Sequence, residues 1–288
     1  MNNKIYPCLW FNGQAKEAAD LYTSIFPNST ITSESPVVVS FELNGQKFMG
    51  LNGGPQFKPN PSISFYVVCE TEAEIDHLWE HLSKDGAALI PLNKYPWSEK
   101  YGWTKDRFGI TWQISLDKAR TMGQKITPSM LFTEGVHGKG NEAVDFYTSV
   151  FKDASVLVRV PYDAGESNYA TTGMLKFSNF TLNNQSFIIM DAGFPQNYTF
   201  NEGISLVVDC DGQEETDYYW DKLTEGGEES QCAWLKDKYG VSWQIVPRQL
   251  MQLMGDADRE KGNRVMQAML KMRKIIVADL EKAYRGTT

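Results

Sequence analysis

The feature that most constrains this sequence is a twelve-residue segment that occurs twice. Residues Trp103–Ile114 read WTKDRFGITWQI, and residues Trp234–Ile245 read WLKDKYGVSWQI, so the Lys-Asp pair, an aromatic residue before glycine and the final Trp-Gln-Ile keep the same spacing. The pattern predicts a strand, a tight turn and a second strand, because glycine supplies the positive φ that such turns often need. A repeat of this quality indicates that the chain holds two copies of one larger unit.

Both copies also repeat the segments that flank this hairpin. Lys4–Phe11 (KIYPCLWF) corresponds to Lys125–Phe132 (KITPSMLF), and the helical pattern of Ala15–Phe26 returns at Asn141–Phe151. Further alternating strands and a second helix follow in each copy. The predicted fold class is therefore α+β, with four βαβββ modules in the chain. We expect two homologous domains, residues 1–120 and residues 121–247, and a helical C-terminal tail, residues 248–288.

The tail departs from the repeat after Pro247. A short helical segment is expected at Gln249–Met254, and one long amphipathic helix is expected at Arg264–Tyr284, with Val265 and Leu280 on its apolar face. Such a face packs against the body of the protein or against a second subunit, so a homodimer is one of the arrangements that we expect.

Composition limits the classes of partner. The formal net charge of −8 disfavours nucleic acid and anionic membrane surfaces as partners, because both are negatively charged. No run approaches the roughly 20 apolar residues of a membrane-spanning helix, and the opening residues lack the pattern of an export signal. The four cysteines show no metal-type spacing, which is typical of reduced, buried thiols. We expect a cytoplasmic protein.

The repeated motifs resemble the vicinal oxygen chelate (glyoxalase/bleomycin-resistance) superfamily, and more narrowly its PhnB-like branch, often labelled 3-demethylubiquinone-9 3-methyltransferase. The residues that carry the resemblance are Pro7, Leu9, Phe11, Ala18, Tyr22, Phe26, Asp106, Phe108, Gly109, Trp112 and Gln113, with Pro128, Met130, Phe132, Ala143, Tyr147, Phe151, Asp237, Tyr239, Gly240, Trp243 and Gln244 in the second copy. The resemblance implies four modules paired into two glyoxalase-like units with cupped mixed sheets. It does not imply one activity, because the superfamily includes lyases, dioxygenases, epimerases and binding proteins.

Metal-dependent members of this superfamily hold a divalent ion with a His or Gln on the first strand and a Glu on the last. In this chain the glutamate position is occupied by Gln113 and again by Gln244, and no histidine occurs at the other ligand positions. A neutral amide without anionic neighbours is a poor ligand for a divalent ion. We therefore expect no metal and no other cofactor, with Gln113 and Gln244 as degenerate metal positions.

Two further motifs are weaker leads. His77, Glu80 and His81 match the HxxEH zinc-protease pattern, but the second copy has Tyr218 and Lys222 at the histidine positions, which favours an outward helix face. A methyltransferase that uses S-adenosylmethionine needs a glycine-rich turn from a strand into a helix, and neither Gly-Gly pair of this chain has that context. His137 is expected in a surface loop.

Strand alternation predicts which side chains line the concave side of each sheet. The expected ligand pocket comprises Cys8, Trp10, Ser64, Thr111, Gln113, Ser129, Leu131, Ser205, Ser242 and Gln244. Aromatic walls with a few amides and hydroxyls are typical of a site for a small neutral or aromatic molecule. The expected function is metal-free small-molecule binding. A metal-dependent lyase or dioxygenase with non-standard ligands, and a structural or assembly protein with vestigial pockets, remain alternatives.

Overall fold

The computed structural model describes residues 4–118 and 123–287. Within these residues it contains sixteen strands and seven α-helices. The strands are β1 (Ile5–Phe11), β2 (Thr30–Glu34), β3 (Val38–Leu43), β4 (Gln46–Asn52), β5 (Ile63–Cys69), β6 (Ala87–Tyr95), β7 (Ser98–Lys105), β8 (Thr111–Leu116), β9 (Ile126–Phe132), β10 (Ser155–Pro161), β11 (Leu175–Leu182), β12 (Gln185–Asp191), β13 (Ile204–Cys210), β14 (Glu228–Glu229), β15 (Trp234–Lys236) and β16 (Ser242–Pro247). The helices are α1 (Ala15–Ile25), α2 (Glu72–Ser83), α3 (Gly140–Val150), α4 (Gly212–Thr224), α5 (Arg248–Met254), α6 (Arg259–Met269) and α7 (Val277–Arg285).

This element order confirms the predicted α+β class and its four βαβββ modules. The described residues divide into two compact units, residues 7–204 and residues 205–287 with 4–6. This division does not fall at the domain boundary predicted near residue 120, which stays a prediction. The reason is that β8 of the first sequence copy and β9 of the second lie in the same sheet.

The first unit contains a complete eight-stranded mixed sheet, which we call the central sheet. Its strand order is β10-β11-β12-β9-β5-β8-β7-β6. Strand β5 runs parallel to β8 and antiparallel to β9, and β9 runs parallel to β12. Helices α2 and α3 pack on one face of this sheet. We call the opposite face the cup face.

The first unit also contains a four-stranded ladder, in which β4 lies between β1 and β3, and β2 pairs with the outer edge of β3. Helix α1 packs on this ladder. Its Tyr22 contacts Trp112 of β8, with 5.1 Å between the ring centroids. The second tryptophan of the repeated hairpin is therefore a core residue, fully buried on the helix side.

The repeated turn is held by its aspartate. In the first copy Asp106 accepts hydrogen bonds from the backbone N–H groups of Phe108 and Ile110, at 2.9 and 3.0 Å, and from Trp112 Nε1 at 2.9 Å. The hydroxyl of Tyr22 donates a fourth, at 2.7 Å. Gly109 has φ +91°, a conformation that L residues rarely adopt. Burial raises the pKa of Asp106 even though these four donors act against the shift.

The second unit repeats this turn. Asp237 accepts hydrogen bonds from the backbone N–H groups of Tyr239 and Val241, at 2.9 and 3.1 Å, and from Trp243 Nε1, at 2.8 Å. Strands β13, β14, β15 and β16 form a ladder in the order β14-β15-β16-β13, which α4 covers. The predicted duplication of the hairpin is thus confirmed, because its aspartate accepts the same three hydrogen bonds in both copies.

The prediction of a single long tail helix at Arg264–Tyr284 is wrong. The tail forms two helices instead, α6 and α7. Between them, the carbonyls of Met272 and Arg273 accept hydrogen bonds from the backbone N–H groups of Cys232 and Ala233, which precede β15, at 2.8 and 2.9 Å. These carbonyls would bond within a continuous helix, so the competing contact interrupts it. Among the described residues no helix has the length and apolar character to cross a bilayer.

Candidate functional site

The cup face of the central sheet brings together the five site residues predicted in its strands. Ser64 of β5 lies opposite Ser129 of β9. Gln113 of β8 lies opposite Tyr66 of β5. Residues that face each other on neighbouring strands point to the same side of a sheet, so these side chains form the floor of the cup.

Gln113 is the centre of a buried hydrogen-bond network. Its Oε1 accepts from the Tyr101 hydroxyl at 2.7 Å, and its Nε2 donates to Ser64 Oγ at 2.8 Å. A longer contact of 3.4 Å joins Nε2 to Ser129 Oγ. Gln113 is only 2% exposed. The amide at the glutamate position is therefore used as a neutral donor and acceptor among hydroxyl groups.

Aromatic side chains enclose this floor. Tyr101, Trp103, Leu131 and Ala192 form a buried cluster, against which six half-buried side chains pack: Tyr66, Ile90, Tyr95, Tyr169, Met190 and Tyr198. Of these ten residues only Leu131 was predicted. Trp103 and Tyr101 could have been found from the sequence, because they alternate along β7 and β7 pairs with β8 beside Gln113. Met190 of β12, and Tyr169, Ala192 and Tyr198 in the loops, carry no comparable signal.

Three buried polar atoms of the cup face have no hydrogen-bond partner: Trp103 Nε1, Thr127 Oγ1 and Asn179 Oδ1. Trp103 and Thr127 share a row of the sheet with Gln113 and Tyr66. Asn179 lies opposite Ile188, which lies opposite Ser129. A buried polar group without a partner costs about 1–3 kcal/mol. Within the described residues these three atoms therefore have unused hydrogen-bonding capacity.

Three phenol groups of the cup face have raised pKa values. Burial raises the pKa of the Tyr101 hydroxyl far above its usual range, and it raises the pKa of Tyr198 to about 12. Burial also raises the pKa of Tyr66, although its hydrogen bond with Ser115 opposes the shift. All three phenols therefore stay protonated and uncharged at neutral pH.

A divalent metal does not fit the residues of this site. In the parts of the chain that are described, no group of three His, Cys, Asp or Glu side chains is arranged to hold a metal ion. The Gln113 carbonyl oxygen, which a metal would need, already accepts from Tyr101. The remaining neighbours are hydroxyls, which offer no charge to compensate a divalent ion.

Thr111 of the cup face, and the predicted residues Cys8 and Trp10 of β1, have separate roles. Thr111 is fully buried, and its hydroxyl donates to the Ile63 carbonyl at 3.3 Å. Cys8 is 1% exposed in β1. Trp10 lies in the same strand, donates from Nε1 to the Gly54 carbonyl at 2.8 Å and makes an edge contact with Phe57. None of these three takes part in the Gln113 network.

The second unit holds a reduced version of the floor. Gln244 Nε2 donates to Ser205 Oγ at 3.0 Å, and Ser242 lies opposite Ser205 in the ladder. The Gln244 side chain has no other hydrogen bond to the described residues, whereas the Gln113 side chain has three contacts. The two glutamines of the repeat are therefore placed alike but bonded differently.

The three histidines do not form a site. His77 and His81 lie on the outward side of α2, with His81 Nδ1 2.8 Å from the His77 carbonyl oxygen. This agrees with the expected outward helix face and not with a zinc protease. His137 lies in a loop and is half-buried, and its ring stacks on Tyr169 at 4.2 Å while its Nε2 lies 2.8 Å from the Ala192 carbonyl oxygen.

The glycine pairs do not fit an S-adenosylmethionine site. A Cβ on Gly53 would lie 2.1 Å from the Trp10 ring, so this glycine makes room for the indole. A Cβ on Gly227 would lie 2.1 Å from the Lys236 carbonyl oxygen, and Gly226 has φ +74° after the end of α4. Both pairs follow a strand or a helix for reasons of packing, and neither opens a helix.

A second concavity in the first unit is a weaker candidate. This cleft of about 650 Å³ is lined by the repeated turn, by Trp10 and by the exposed Lys58 and Lys105. Its Asp106 carboxylate is occupied by four donors, and its Trp10 N–H is occupied by Gly54. The cleft therefore offers no buried polar atom that lacks a partner.

Comparisons with known proteins agree with the duplicated architecture. A family model described as 3-demethylubiquinone-9 3-methyltransferase matches residues 3–115 and again residues 124–246. A Bacillus cereus protein described as a 3-demethylubiquinone-9 3-methyltransferase, PhnB protein, is 41% identical over 38% of this chain and 96% of its own, with a TM-score of 0.37. A Staphylococcus aureus protein is 34% identical over 39% of this chain and 95% of its own, with a TM-score of 0.19.

A further solved structure shows the tandem fold. A glyoxalase I mutant from Zea mays matches 84% of this chain and 92% of its own, with 10% identity and a TM-score of 0.54. At this identity the likeness concerns the fold alone. No curated protein matches the chain.

Proposed function

This chain belongs to the family described as 3-demethylubiquinone-9 3-methyltransferase, within the vicinal oxygen chelate superfamily, and from that premise we propose that it is a metal-free small-molecule-binding protein. The ligand occupies the cup face of the central sheet. The family's descriptive name does not carry a methyl transfer over to this chain, because neither glycine pair fits the cofactor that such a transfer needs.

The observation that carries the proposal is the hydrogen bonding of the Gln113 amide. A carboxylate at this place would supply charge to a metal ion, whereas the amide is fixed by Tyr101 and Ser64 in a neutral network. A pre-formed neutral floor under aromatic walls is the usual construction of a site for a small apolar molecule with a few polar groups. The same floor gives no support to metal-dependent chemistry.

Unused hydrogen-bonding capacity also supports binding over a purely structural role. Protein cores pair the large majority of their buried polar atoms and leave only a few per 100 residues unpaired. Here Trp103 Nε1, Thr127 Oγ1 and Asn179 Oδ1 all face the cup without a partner. A ligand that pairs with them recovers the free energy that their burial costs.

The proposal is tested by a thermal-shift screen of the EDTA-treated full chain against small neutral aromatic compounds. At a concentration 100-fold above the dissociation constant, a ligand stabilises the folded state by about 2.7 kcal/mol, which raises Tm by about 5 °C or more. Hydrogen exchange of the best complex then locates the site. We expect protection in β5, β7, β8 and β9, with the β2–β4 ladder as the internal control.

Three results would overturn the proposal. The first is a screen in which no compound stabilises the protein. The second is stabilisation that appears only after a divalent metal is added, and the third is protection that falls on the β2–β4 ladder instead of the cup face. Any of them would return the metal-dependent or the structural alternative to first place.

A further inference from the structure

The hairpin formed by β6 and β7 carries a series of contacting aromatic rings from solvent to the cup floor. Trp97 at its tip stacks on Tyr95, with ring centroids 5.1 Å apart and planes 20° apart. Both rings meet Tyr101 edge-on, at 5.7 and 5.9 Å. Tyr101 in turn contacts Tyr66 at 6.4 Å and bonds to Gln113. We call Trp97, Tyr95, Tyr101 and Tyr66 the aromatic ladder.

The outermost ring of the ladder is unusually exposed. Trp97 has 60% of its surface in contact with solvent, although large aromatic side chains lower the free energy of a protein most when they are buried. The ring therefore contributes little to folding in its present position. Exposed tryptophan beside a concave site is typical of a binding surface.

The hairpin that carries Trp97 is specific to the first copy. Strands β6 and β7 have 9 and 8 residues, whereas the equivalent β14 and β15 have 2 and 3 residues. Both copies keep the repeated aspartate turn that follows β7 and β15, and both keep a helix packed on these strands. Folding therefore does not require the longer strands. The additional residues supply Tyr95, Trp97 and Tyr101, which are three of the four members of the aromatic ladder.

The polar atoms without partners define the rest of the ligand. Trp103 Nε1 can only donate, so it needs an acceptor. Asn179 Oδ1 can only accept, so it needs a donor, and the Thr127 hydroxyl can do either. A charged group would lie among uncharged hydroxyls, amides and rings without a counter-ion, which is costly in a buried site.

Resting on the proposed function, we propose that the ligand is an uncharged planar heteroaromatic molecule. One ring face lies against the aromatic ladder, an acceptor atom meets Trp103 Nε1, and a donor meets Asn179 Oδ1 or Thr127 Oγ1. Flat rings are favoured because stacking on tryptophan and tyrosine adds to the burial of apolar surface.

The test compares three probes of similar size by titration calorimetry. The first is 4-quinolone, which is planar and carries one donor and one acceptor. The second is naphthalene, which is planar without either, and the third is camphor, which carries an acceptor but is not flat. We expect 4-quinolone to bind about 10-fold or more tighter than each of the others. Naphthalene cannot form the two hydrogen bonds, and camphor cannot stack on the aromatic rings.

Two variants assign the two contacts. Trp103→Phe keeps a ring and removes the N–H, so 4-quinolone is expected to bind about 3- to 10-fold more weakly while naphthalene is unaffected. Trp97→Ala is expected to weaken both planar probes by a similar factor and to leave camphor unchanged. Met251→Ala, which removes another exposed apolar side chain in the second unit, is the matched control and changes no affinity.

The outcomes separate this inference from the proposed function. If some compound of the wider screen binds at the cup face but camphor equals 4-quinolone, or if Trp103→Phe weakens naphthalene as much as 4-quinolone, the ligand class is wrong while the binding function stands. If nothing binds at the cup face, the proposed function itself fails.

Discussion

Replacing Gln113 by leucine isolates the contribution of the buried amide, because leucine has a similar volume and no polar atom. The variant loses the 2.7 Å bond from Tyr101 and the 2.8 Å bond to Ser64, each worth about 1 kcal/mol. It also leaves two buried hydroxyls without those partners, which costs about 1 kcal/mol or more each. The additional apolar burial of leucine returns about 1–2 kcal/mol.

The expected net loss is therefore about 2–3 kcal/mol in the free energy of unfolding. Urea unfolding followed by circular dichroism measures it directly, and the corresponding fall in Tm is about 5–10 °C. The long contact to Ser129, at 3.4 Å, adds little because hydrogen bonds weaken at that length.

Gln244→Leu is the matched control, since it makes the same change at the equivalent position of the second copy. The Gln244 side chain has one hydrogen bond, to Ser205 at 3.0 Å, and the residue is 7% exposed. One lost bond and one unpaired hydroxyl, offset by the same apolar burial of leucine, give an expected loss of about 0–1 kcal/mol. If Gln244→Leu is as destabilising as Gln113→Leu, then the hydroxyl network does not distinguish the two glutamines and the reasoning about the floor is refuted.

Three further predictions follow from buried groups. Burial raises the pKa of the Cys69 and Cys210 thiols to about 12, so iodoacetamide at pH 8 is expected to modify the half-buried Cys232 before either, as read by mass spectrometry; equal labelling would contradict this. Asp106→Asn places an NH₂ group against two donors and is expected to lower the free energy of unfolding by about 3 kcal/mol in urea; an unchanged midpoint would refute the role of the turn. In Gln113→Glu, burial is expected to raise the pKa of the new carboxyl above its unfolded value of about 4.3. The free energy of unfolding of this variant is then expected to fall as pH rises through the folded pKa, by about 1.4 kcal/mol for each pH unit between the unfolded and the folded pKa. A loss of stability that does not depend on pH would contradict this prediction.

Sequence reasoning found the repeat and the floor of the site because both depend on local patterns. Asp106 and Gly109 specify a turn that either copy can form by itself, and alternation from Trp112 assigns Gln113 to the cup face. The same rule would have included Trp103, which lies opposite Gln113 on β7. Its place beside Gln113 depends on the register between β7 and β8, which the alternation within one strand does not give.

Other features depend on contacts between distant parts of the chain, which no local pattern records. The tail was expected to be one helix because its apolar spacing is continuous, but Met272 and Arg273 give their carbonyls to residues some forty positions earlier. Asn179 reaches the cup face only through the pairing of β11 with β12 and of β12 with β9. The sheet that joins the two sequence copies has the same origin.

A crystal structure of the full chain with 4-quinolone, grown in the presence of zinc, tests metal-free binding at the cup face most directly. We predict ligand density against the aromatic ladder, hydrogen-bonded to Trp103 Nε1, with the Gln113 amide still bonded to Tyr101 and Ser64 and no metal beside it. A zinc ion coordinated by Gln113, or a ligand bound away from the cup face, would contradict the account.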